Sequence, residues 1–368
     1  MENIASTPVR ETRIVYLDVL RLFAALVVVA FHWLFRGHAA GEQAAGFGSA
    51  ASLAMYGYIG VDWFFIISGF VIAWTAQGRD ALTFAVSRFA RIYPGYIACM
   101  TLTFILTVAY GWQHASPGLA DWIANLTLFA PLVGRPFMDG AYWSIMVEII
   151  FYGWIFLLLA TGLWSKRVAI VAGWLAVSVL NMVFLKSEAL RMVLITEYAP
   201  HFAIGIMMFD MRERGPRIVT ACIMATAFVA ACLSRTLQVP GFVEDYGVTP
   251  DLTVLFSLIA IGVLLVALAI QPWDVSPRTV RIAAAAGAVS YPLYLFHQHA
   301  GYMLIDRLSP VLGNWGAAFA ALIAVLGVAF ATAELIERPM RPIVINTLLR
   351  LLKAVPLVEA FMRAPQHK

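Results

Sequence analysis

The sequence predicts an all-α polytopic membrane protein with about ten transmembrane helices and both termini in the cytoplasm. Three observations lead to this prediction: the composition, the recurrence of long apolar segments and the distribution of basic residues. The 368 residues are 62% hydrophobic and 12% charged, whereas soluble domains carry about 25% charged residues. This composition excludes an ordinary soluble domain.

Apolar segments recur along the whole chain, each close to the roughly 20 residues that cross the hydrocarbon core of a bilayer. They lie at 15–35, 57–77, 92–112, 141–162, 167–185, 190–210, 217–234, 252–271, 281–304 and 314–335. A weaker apolar stretch at 119–132 contains Asp121, Asn125 and Pro131. We interpret that stretch as a re-entrant or interfacial helix.

Basic residues alternate between a rich side and a poor side of the predicted spans. The rich side has 18 Lys and Arg residues, in the two termini and the loops 78–91, 163–167, 211–217 and 272–281. The other side has six, namely Arg36, Arg135, Lys186, Arg191, Arg235 and Arg307. Because loops rich in Lys and Arg are cytoplasmic, both termini are expected there, as an even number of spans also requires.

The loops are short, so the chain is expected to form one transmembrane domain at 13–342 and a tail at 343–368. In the tail, leucines alternate with Arg350 and Lys353, a pattern typical of an amphipathic surface helix. The basic edges suit anionic lipid headgroups and give no argument for nucleic acid. The three cysteines fall inside predicted spans without metal-ligand spacing, so neither a disulfide framework nor a metal site is expected.

Ionisable residues interrupt the first apolar segment at Asp18, Arg21 and His32. Arg21 and His32 are eleven residues apart, so they share a helix face and lie about 16 Å apart along the axis. Ionisable groups inside a membrane are costly and usually functional. The alternative is an Asp18–Arg21 pair at one interface and a histidine near the other.

The second and third spans add an acidic and a basic group. Asp62 lies near the same end as His32 and could fix the tautomer of that histidine; alternatively it caps its helix. Arg88 and Arg91 are three residues apart at the cytoplasmic entry to the third span, where they could bind phosphate oxygens. They could equally bind the phosphates of lipids.

Later spans place further polar groups at the level of His32. Glu148 and Ser144 are four residues apart and share a helix face, so a cavity containing both residues and His32 is possible. A structural role for Glu148 is the alternative. The sixth and ninth spans contribute further cavity candidates at this level: Tyr198, His201, Tyr294 and His297. Singly these are typical of packing residues, but together they favour a shared polar cavity.

Three loops on the poor side, 36–56, 112–140 and 235–251, would face an external substrate. Trp112 and Trp122 in the second loop could stack on sugar rings or belong to an aromatic belt at the headgroups.

Six motifs in this order resemble membrane acyltransferase family 3 over nearly all of 13–342: Leu17-Asp18-x-x-Arg21-(ten residues)-His32, GVDWFFIISGF, Arg88-x-x-Arg91, WSIMVEIIFY, SYPLYLFH and Glu337-Arg338-Pro339. The resemblance implies an inner-membrane O-acyltransferase that takes an acyl group, usually acetyl, from cytoplasmic acyl-coenzyme A. The expected acceptor is a hydroxyl of an extracytoplasmic carbohydrate, such as an exopolysaccharide or a lipopolysaccharide. No metal is expected, and the acceptor and the oligomeric state stay open.

The resemblance also implies roles for individual residues. His32 is expected to be the catalytic histidine, as general base or as acyl carrier, and Arg21 its partner in the signature. Arg88, Arg91 and Arg21 are expected to bind the phosphates of coenzyme A at the basic mouth. Glu148, the carboxylate of the fourth-span motif, and Asp62 are expected to act with His32 in catalysis. Two positions depart from common family patterns, Ile149 and Phe296.

A secondary transporter is the alternative from another class, since mid-membrane polar residues are also typical of transporters. No matching Gly- or Pro-broken segments occur in two halves of the chain, which favours the enzyme.

Overall fold

The computed structural model describes residues 14–354, and every regular element in that range is helical. Nine helical segments there are long and apolar enough to cross a membrane. The prediction of an all-α polytopic fold is therefore confirmed. The residues before 14 and after 354, which include part of the basic termini and of the predicted tail, lie outside the described range.

The main helices are numbered here in chain order: α1 (Val15–Ala39), α2 (Ile59–Ala76), α3 (Ala81–Tyr110), α4 (Trp143–Ala160), α5 (Arg167–Leu180), α6 (Ala199–Arg214), α7 (Ile218–Tyr246), α8 (Leu252–Ala269), α9 (Pro277–Phe296), α10 (Gln298–Thr332) and α11 (Arg338–Lys353). Short helices at Ala50–Ala54, Leu119–Asn125 and Glu188–Val193 lie in the connections. We call the end of the bundle with Arg88 and Arg91 the arginine end, and the end with His32 and His297 the histidine end.

Helix α3 begins eleven residues before the predicted span, at Ala81. The carboxylate of Asp80 accepts a hydrogen bond of 2.8 Å from the Thr83 amide, which caps the helix and satisfies one of its free N–H groups. The predicted loop 78–91 is therefore wrong beyond Asp80. Arg88 and Arg91 lie on a rigid helix instead of a loop.

Helix α7 continues to Tyr246, so the predicted loop 235–251 is wrong over most of its length. Arg235 had marked the end of the apolar segment because it is charged. In the structure it is only 6% exposed, and its Nε and Nη2 each donate a hydrogen bond to one oxygen of the Asp62 carboxylate on α2. Because Asp62 neutralises the charge of Arg235, the helix continues past this residue.

Helix α6 is the centre of the bundle and is shorter than the predicted span 190–210. Every residue from Ala199 to Asp210 is buried. A Cβ added at Gly205 would overlap the backbone of Ile66, and one added at Gly69 would overlap the backbone of Phe202. These two glycines therefore let α2 and α6 pack with their backbones in contact.

The predicted ninth span, 281–304, is divided in the structure. Helix α9 ends at Phe296, and α10 begins at Gln298. Helix α10 itself bends at Gly313, whose φ of 69° and ψ of 165° are not helical. Residues 314–332 of α10 then correspond to the predicted tenth span. Helix α11 covers the start of the predicted amphipathic tail.

The loop 112–140 has less helix than the stretch 119–132 predicts, since the helix ends at Asn125. Both tryptophans of this loop pack against the protein. The ring of Trp112 lies 4.7 Å from the ring of His299, and the Trp122 indole donates a hydrogen bond of 3.1 Å to Thr101.

Buried ion pairs connect neighbouring helices of the bundle. Asp62 and Arg235 join α2 to α7, while Arg167 on α5 binds Asp210 on α6 at 2.8 Å. All four side chains are nearly inaccessible. Removal of one partner of such a pair leaves a buried charge without compensation, which costs about 3–5 kcal/mol.

We therefore expect Asp62→Ala to lower the free energy of unfolding by about 3–5 kcal/mol, measured by reversible denaturation in mixed micelles. The control is Arg191→Ala, which breaks an exposed ion pair with Glu188 and should cost less than about 1 kcal/mol. Asp62→Leu combined with Arg235→Met should recover most of the loss. Wild-type stability of Asp62→Ala would contradict the structural role of the pair.

Candidate active site

A polar cavity lies between α1, α2, α3, α4 and α9. It contains about 800 Å³ of empty space, including its mouth. Six of the residues singled out from the sequence line it: Arg21, Arg88, Arg91, Ser144, Glu148 and Tyr294. The cavity therefore joins the arginine end to a point close to the histidine end.

The two arginines of α3 differ in their partners. Arg91 binds Glu337 at 2.7 Å and lies 5.3 Å from the centre of the Tyr291 ring. Arg88 is only 9% exposed, and within residues 14–354 it has no carboxylate partner; its guanidinium contacts Ser87 at 3.5 Å. Arg88 is thus a buried cation that faces the cavity without a counter-ion in the described chain.

Arg21 extends the positive surface of the cavity on α1. Its Nη1 lies 3.5 Å from the Asp18 carboxylate, so the pairing considered from the sequence exists. The side chain still lines the cavity and retains 25% exposure. The pair and the cavity role are therefore compatible.

Glu148 lies in the middle of the cavity, one helical turn from Ser144 toward the arginine end. Its Oε1 accepts hydrogen bonds from the Ser68 hydroxyl at 2.6 Å and from the Tyr152 hydroxyl at 2.7 Å. The expected grouping of Glu148 with His32 is not found. The reason is that the carboxylate faces α2 and its own helix, whereas the histidine lies beyond the end of the cavity.

Ser144 and Tyr294 close the cavity toward the histidine end. Their hydroxyl oxygens are 2.6 Å apart, and the Tyr294 hydroxyl also lies 3.3 Å from the Ala141 carbonyl oxygen. The Tyr294 ring is 5.6 Å from the His297 ring. Tyr294 thus separates the cavity from the histidines.

His32 and His297 form a buried pair at the junction of α1, α9 and α10. Nδ1 of His32 and Nε2 of His297 are 3.0 Å apart, and the rings meet edge to face with centroids 4.8 Å apart. His32 belongs to a π-helical turn at Phe31–Arg36, an irregularity often found at functional sites. The sequence predicts that both histidines lie at a similar depth, but it does not predict that they pair.

Three candidates from the sequence lie elsewhere. Asp62 binds Arg235 and lies 3.5 Å from His201, so its expected contact with His32 is wrong. Tyr198 lies beside Arg235, 5.9 Å from its guanidinium. Tyr198 and His201 therefore belong to the buried ion pair and do not line the cavity.

Sequence reasoning missed three residues of the site. Ser68 and Tyr152 line the cavity and bind Glu148; Tyr152 is four residues from Glu148, which was a usable signal. Asp139 is fully buried, and its carboxylate accepts hydrogen bonds from the amides of Ala141 and His299. No sequence pattern marks Asp139, because its position depends on the break between α9 and α10.

The fold and the site define a polytopic membrane protein with a polar cavity between an arginine cluster and a histidine pair. The family model described as "Acyltransferase domain" matches residues 14–334, so the chain belongs to acyltransferase family 3. The protein is therefore a membrane acyltransferase. This membership favours the enzyme over the transporter.

Two relatives extend over most of the chain. The acyltransferase MdmB of Streptomyces mycarofaciens is 27% identical over 364 residues, covering 88% of this chain and 89% of the relative. The exopolysaccharide production protein ExoZ of Rhizobium meliloti (strain 1021) is 26% identical over 302 residues, 77% of this chain and 89% of the relative. No solved structure matches the chain significantly.

The contacts of Glu148 predict its response to substitution. Glu148→Leu leaves the Ser68 and Tyr152 hydroxyls without their acceptor, so we expect a loss of about 1 kcal/mol of stability for each. Glu148→Gln keeps an acceptor oxygen and should stay close to wild type. Denaturation in mixed micelles checks both values. Equal destabilisation by Gln and Leu would show that the charge, rather than the acceptor, matters.

Proposed function

We propose that this protein transfers an acyl group, most simply acetyl, from cytoplasmic acyl-coenzyme A to a hydroxyl of an extracytoplasmic carbohydrate. We place the protein in the cytoplasmic membrane, with the transferase domain at 13–342 and a cytoplasmic tail at 343–368. The observation that carries the proposal is the cavity between the arginine end and Tyr294 beside the histidine pair. The similarity to the exopolysaccharide production protein ExoZ supports a polysaccharide as the class of acceptor.

The arginine end suits the phosphates of the donor. Phosphate groups cannot lie in hydrocarbon, so coenzyme A enters from an aqueous side, and the positive-inside distribution assigns the arginine end to the cytoplasm. A guanidinium binds phosphate oxygens through paired hydrogen bonds. Arg88 is the strongest candidate, because its charge has no carboxylate partner in the described chain.

The rest of the cavity suits the pantetheine arm and the thioester. Arg21 and His32 are separated by about 16 Å along α1, which is on the order of the length of that arm. The thioester passes Glu148 and approaches Ser144 and Tyr294. Because the Tyr294 ring lies between the cavity and His297, the tyrosine side chain must move to bring the thioester to His32.

In the proposed reaction His32 is the general base. Its Nε2 takes the proton of the acceptor hydroxyl while the hydroxyl oxygen attacks the thioester carbonyl carbon. The carbon–oxygen bond forms, the carbon–sulfur bond breaks, and the proton passes from Nε2 to the leaving thiolate. The alternative, in which Nε2 itself carries the acyl group, predicts a labelled protein after rapid quenching.

We expect His32→Ala to reduce acyl transfer by about 10²- to 10⁴-fold, because a positioned general base contributes that much. The assay follows transfer from radiolabelled acetyl-coenzyme A to candidate glycans by purified protein. Size-exclusion chromatography and thermal unfolding establish that the variant is folded. Turnover at the wild-type rate would remove His32 from the mechanism, and no transfer by wild-type protein to any glycan would argue against the carbohydrate acceptor.

Substitution of the two arginines of α3 should affect donor affinity unequally. Arg88→Met should raise KM for acetyl-coenzyme A by about 10- to 100-fold, since a charge-assisted hydrogen bond contributes about 1.5–3 kcal/mol. Arg91→Met should raise it less, because Glu337 already matches that charge. Arg350→Met, on the exposed face of α11, is the control. Unchanged affinity in Arg88→Met would assign this arginine to lipid phosphates instead.

A further inference from the structure

His32 and His297 form a hydrogen-bonded chain with a backbone carbonyl at each end. Nδ1 of His32 lies 3.0 Å from the Val28 carbonyl oxygen and 3.0 Å from Nε2 of His297. Nδ1 of His297 lies 2.8 Å from the Tyr294 carbonyl oxygen. A carbonyl oxygen only accepts hydrogen bonds, so both Nδ1 atoms carry a hydrogen.

The state of the other two nitrogens follows from the chemistry of the neutral ring, which has a single N–H. Nε2 of His297 is therefore an acceptor, and it takes a hydrogen bond from Nδ1 of His32. Nε2 of His32 is unprotonated, and within residues 14–354 it has no hydrogen-bond partner. Its lone pair can therefore accept a proton from a substrate.

We propose that His297 is a positioning residue, which holds His32 in the tautomer that has Nε2 as the basic nitrogen. The inference rests on the proposed function, in which Nε2 removes the proton of the acceptor hydroxyl. When Nε2 takes that proton, the cation on His32 keeps two acceptors at its Nδ1–H, the Val28 carbonyl and His297. A second imidazole thus has the orienting role that a carboxylate has in the hydrolase triad.

The backbone around His297 is held from several sides. The Trp33 indole donates a hydrogen bond of 2.8 Å to the His297 carbonyl oxygen. Gly301, one turn further along α10, lies so close to Trp33 that a Cβ would overlap the indole. The Asp139 carboxylate accepts a hydrogen bond of 3.0 Å from the His299 amide. These contacts fix the break between α9 and α10, and with it the His297 ring.

Asp139 does not take over the orienting role. It is a fully buried carboxylate near the pair, but the hydrogen bonds of its two oxygens come from the amides of Ala141 and His299. Neither imidazole donates to it. The side chain that hydrogen-bonds to His32 is therefore that of the second histidine.

Two substitutions at His297 separate orientation from packing. His297→Leu removes the acceptor, and we expect kcat to fall on the order of 10²-fold. His297→Gln offers an amide oxygen to Nδ1–H of His32 and should recover part of that loss. KM for acetyl-coenzyme A should not change in either variant, because His297 does not line the cavity. His38→Leu, at an exposed position, is the matched control and should keep the wild-type kcat.

If His297 has only a packing role, its substitution should affect the amount of folded protein and not kcat. In that case both variants lower the amount of folded protein equally, while kcat per folded molecule stays at the wild-type value, and the inference is overturned. A double-mutant comparison adds a second criterion. His32→Ala with His297→Leu should be no slower than His32→Ala alone, because His297 acts through His32. A further loss in the double variant also overturns the inference.

The tautomer can be measured without an acyl-transfer assay. Nuclear magnetic resonance of protein labelled with nitrogen-15 histidine in nanodiscs gives the protonation of each ring nitrogen, and His32→Ala assigns the His32 signals. We expect Nδ1–H and a bare Nε2 in the resting protein; an Nε2–H tautomer would overturn the inference. Wild-type turnover in His32→Ala would instead overturn the proposed function and leave the measured tautomer unaffected, so the two failures are distinguishable.

Discussion

A charge inside a membrane bundle must be matched by an opposite charge or by hydrogen bonds, and this constraint arranges the helices of the protein. The ion pair of Asp62 and Arg235 joins α2 to α7, and that of Arg167 and Asp210 joins α5 to α6. The exception is Arg88, which is buried at the cavity and has no carboxylate partner within residues 14–354. Among the buried arginines of the described residues, Arg88 is thus the one without a carboxylate partner, and a bound anion can complete the charge balance there.

The approximate number and position of the helices could be predicted from hydropathy, because burial in lipid requires long apolar segments. The ends of the helices could not be predicted where a charged residue lies inside a helix. Arg235 is an example, since its partner Asp62 is 173 residues away in the chain. A hydropathy average is lowered by the charge of Arg235 but contains no information about the partner that neutralises it. Arg88 is inside α3 for a different reason, the cap formed by Asp80.

The site could be predicted only as a set of levels along the helix axes. Helical periodicity gives the depth of His32, Glu148 and His297, but not the rotation of each helix about its axis. Rotation decides that Glu148 contacts Ser68 and that His32 contacts His297. The irregular turn at Phe31–Arg36 and the break after α9 add rotations that a regular helix does not have. The contacts between helices could therefore not be predicted from the sequence.

The backbone contact between α2 and α6 at Gly69 and Gly205 has a consequence for the motions open to the protein. At these two glycines no side chain separates the backbones, so α2 and α6 have little room to slide past one another there. Neighbouring residues of α2, among them Phe65 and Ser68, line the cavity, so this contact also holds one wall of the cavity in place. Access from the cavity to the histidine pair therefore depends on a rotamer change of a single side chain, Tyr294, rather than on separation of α2 from α6.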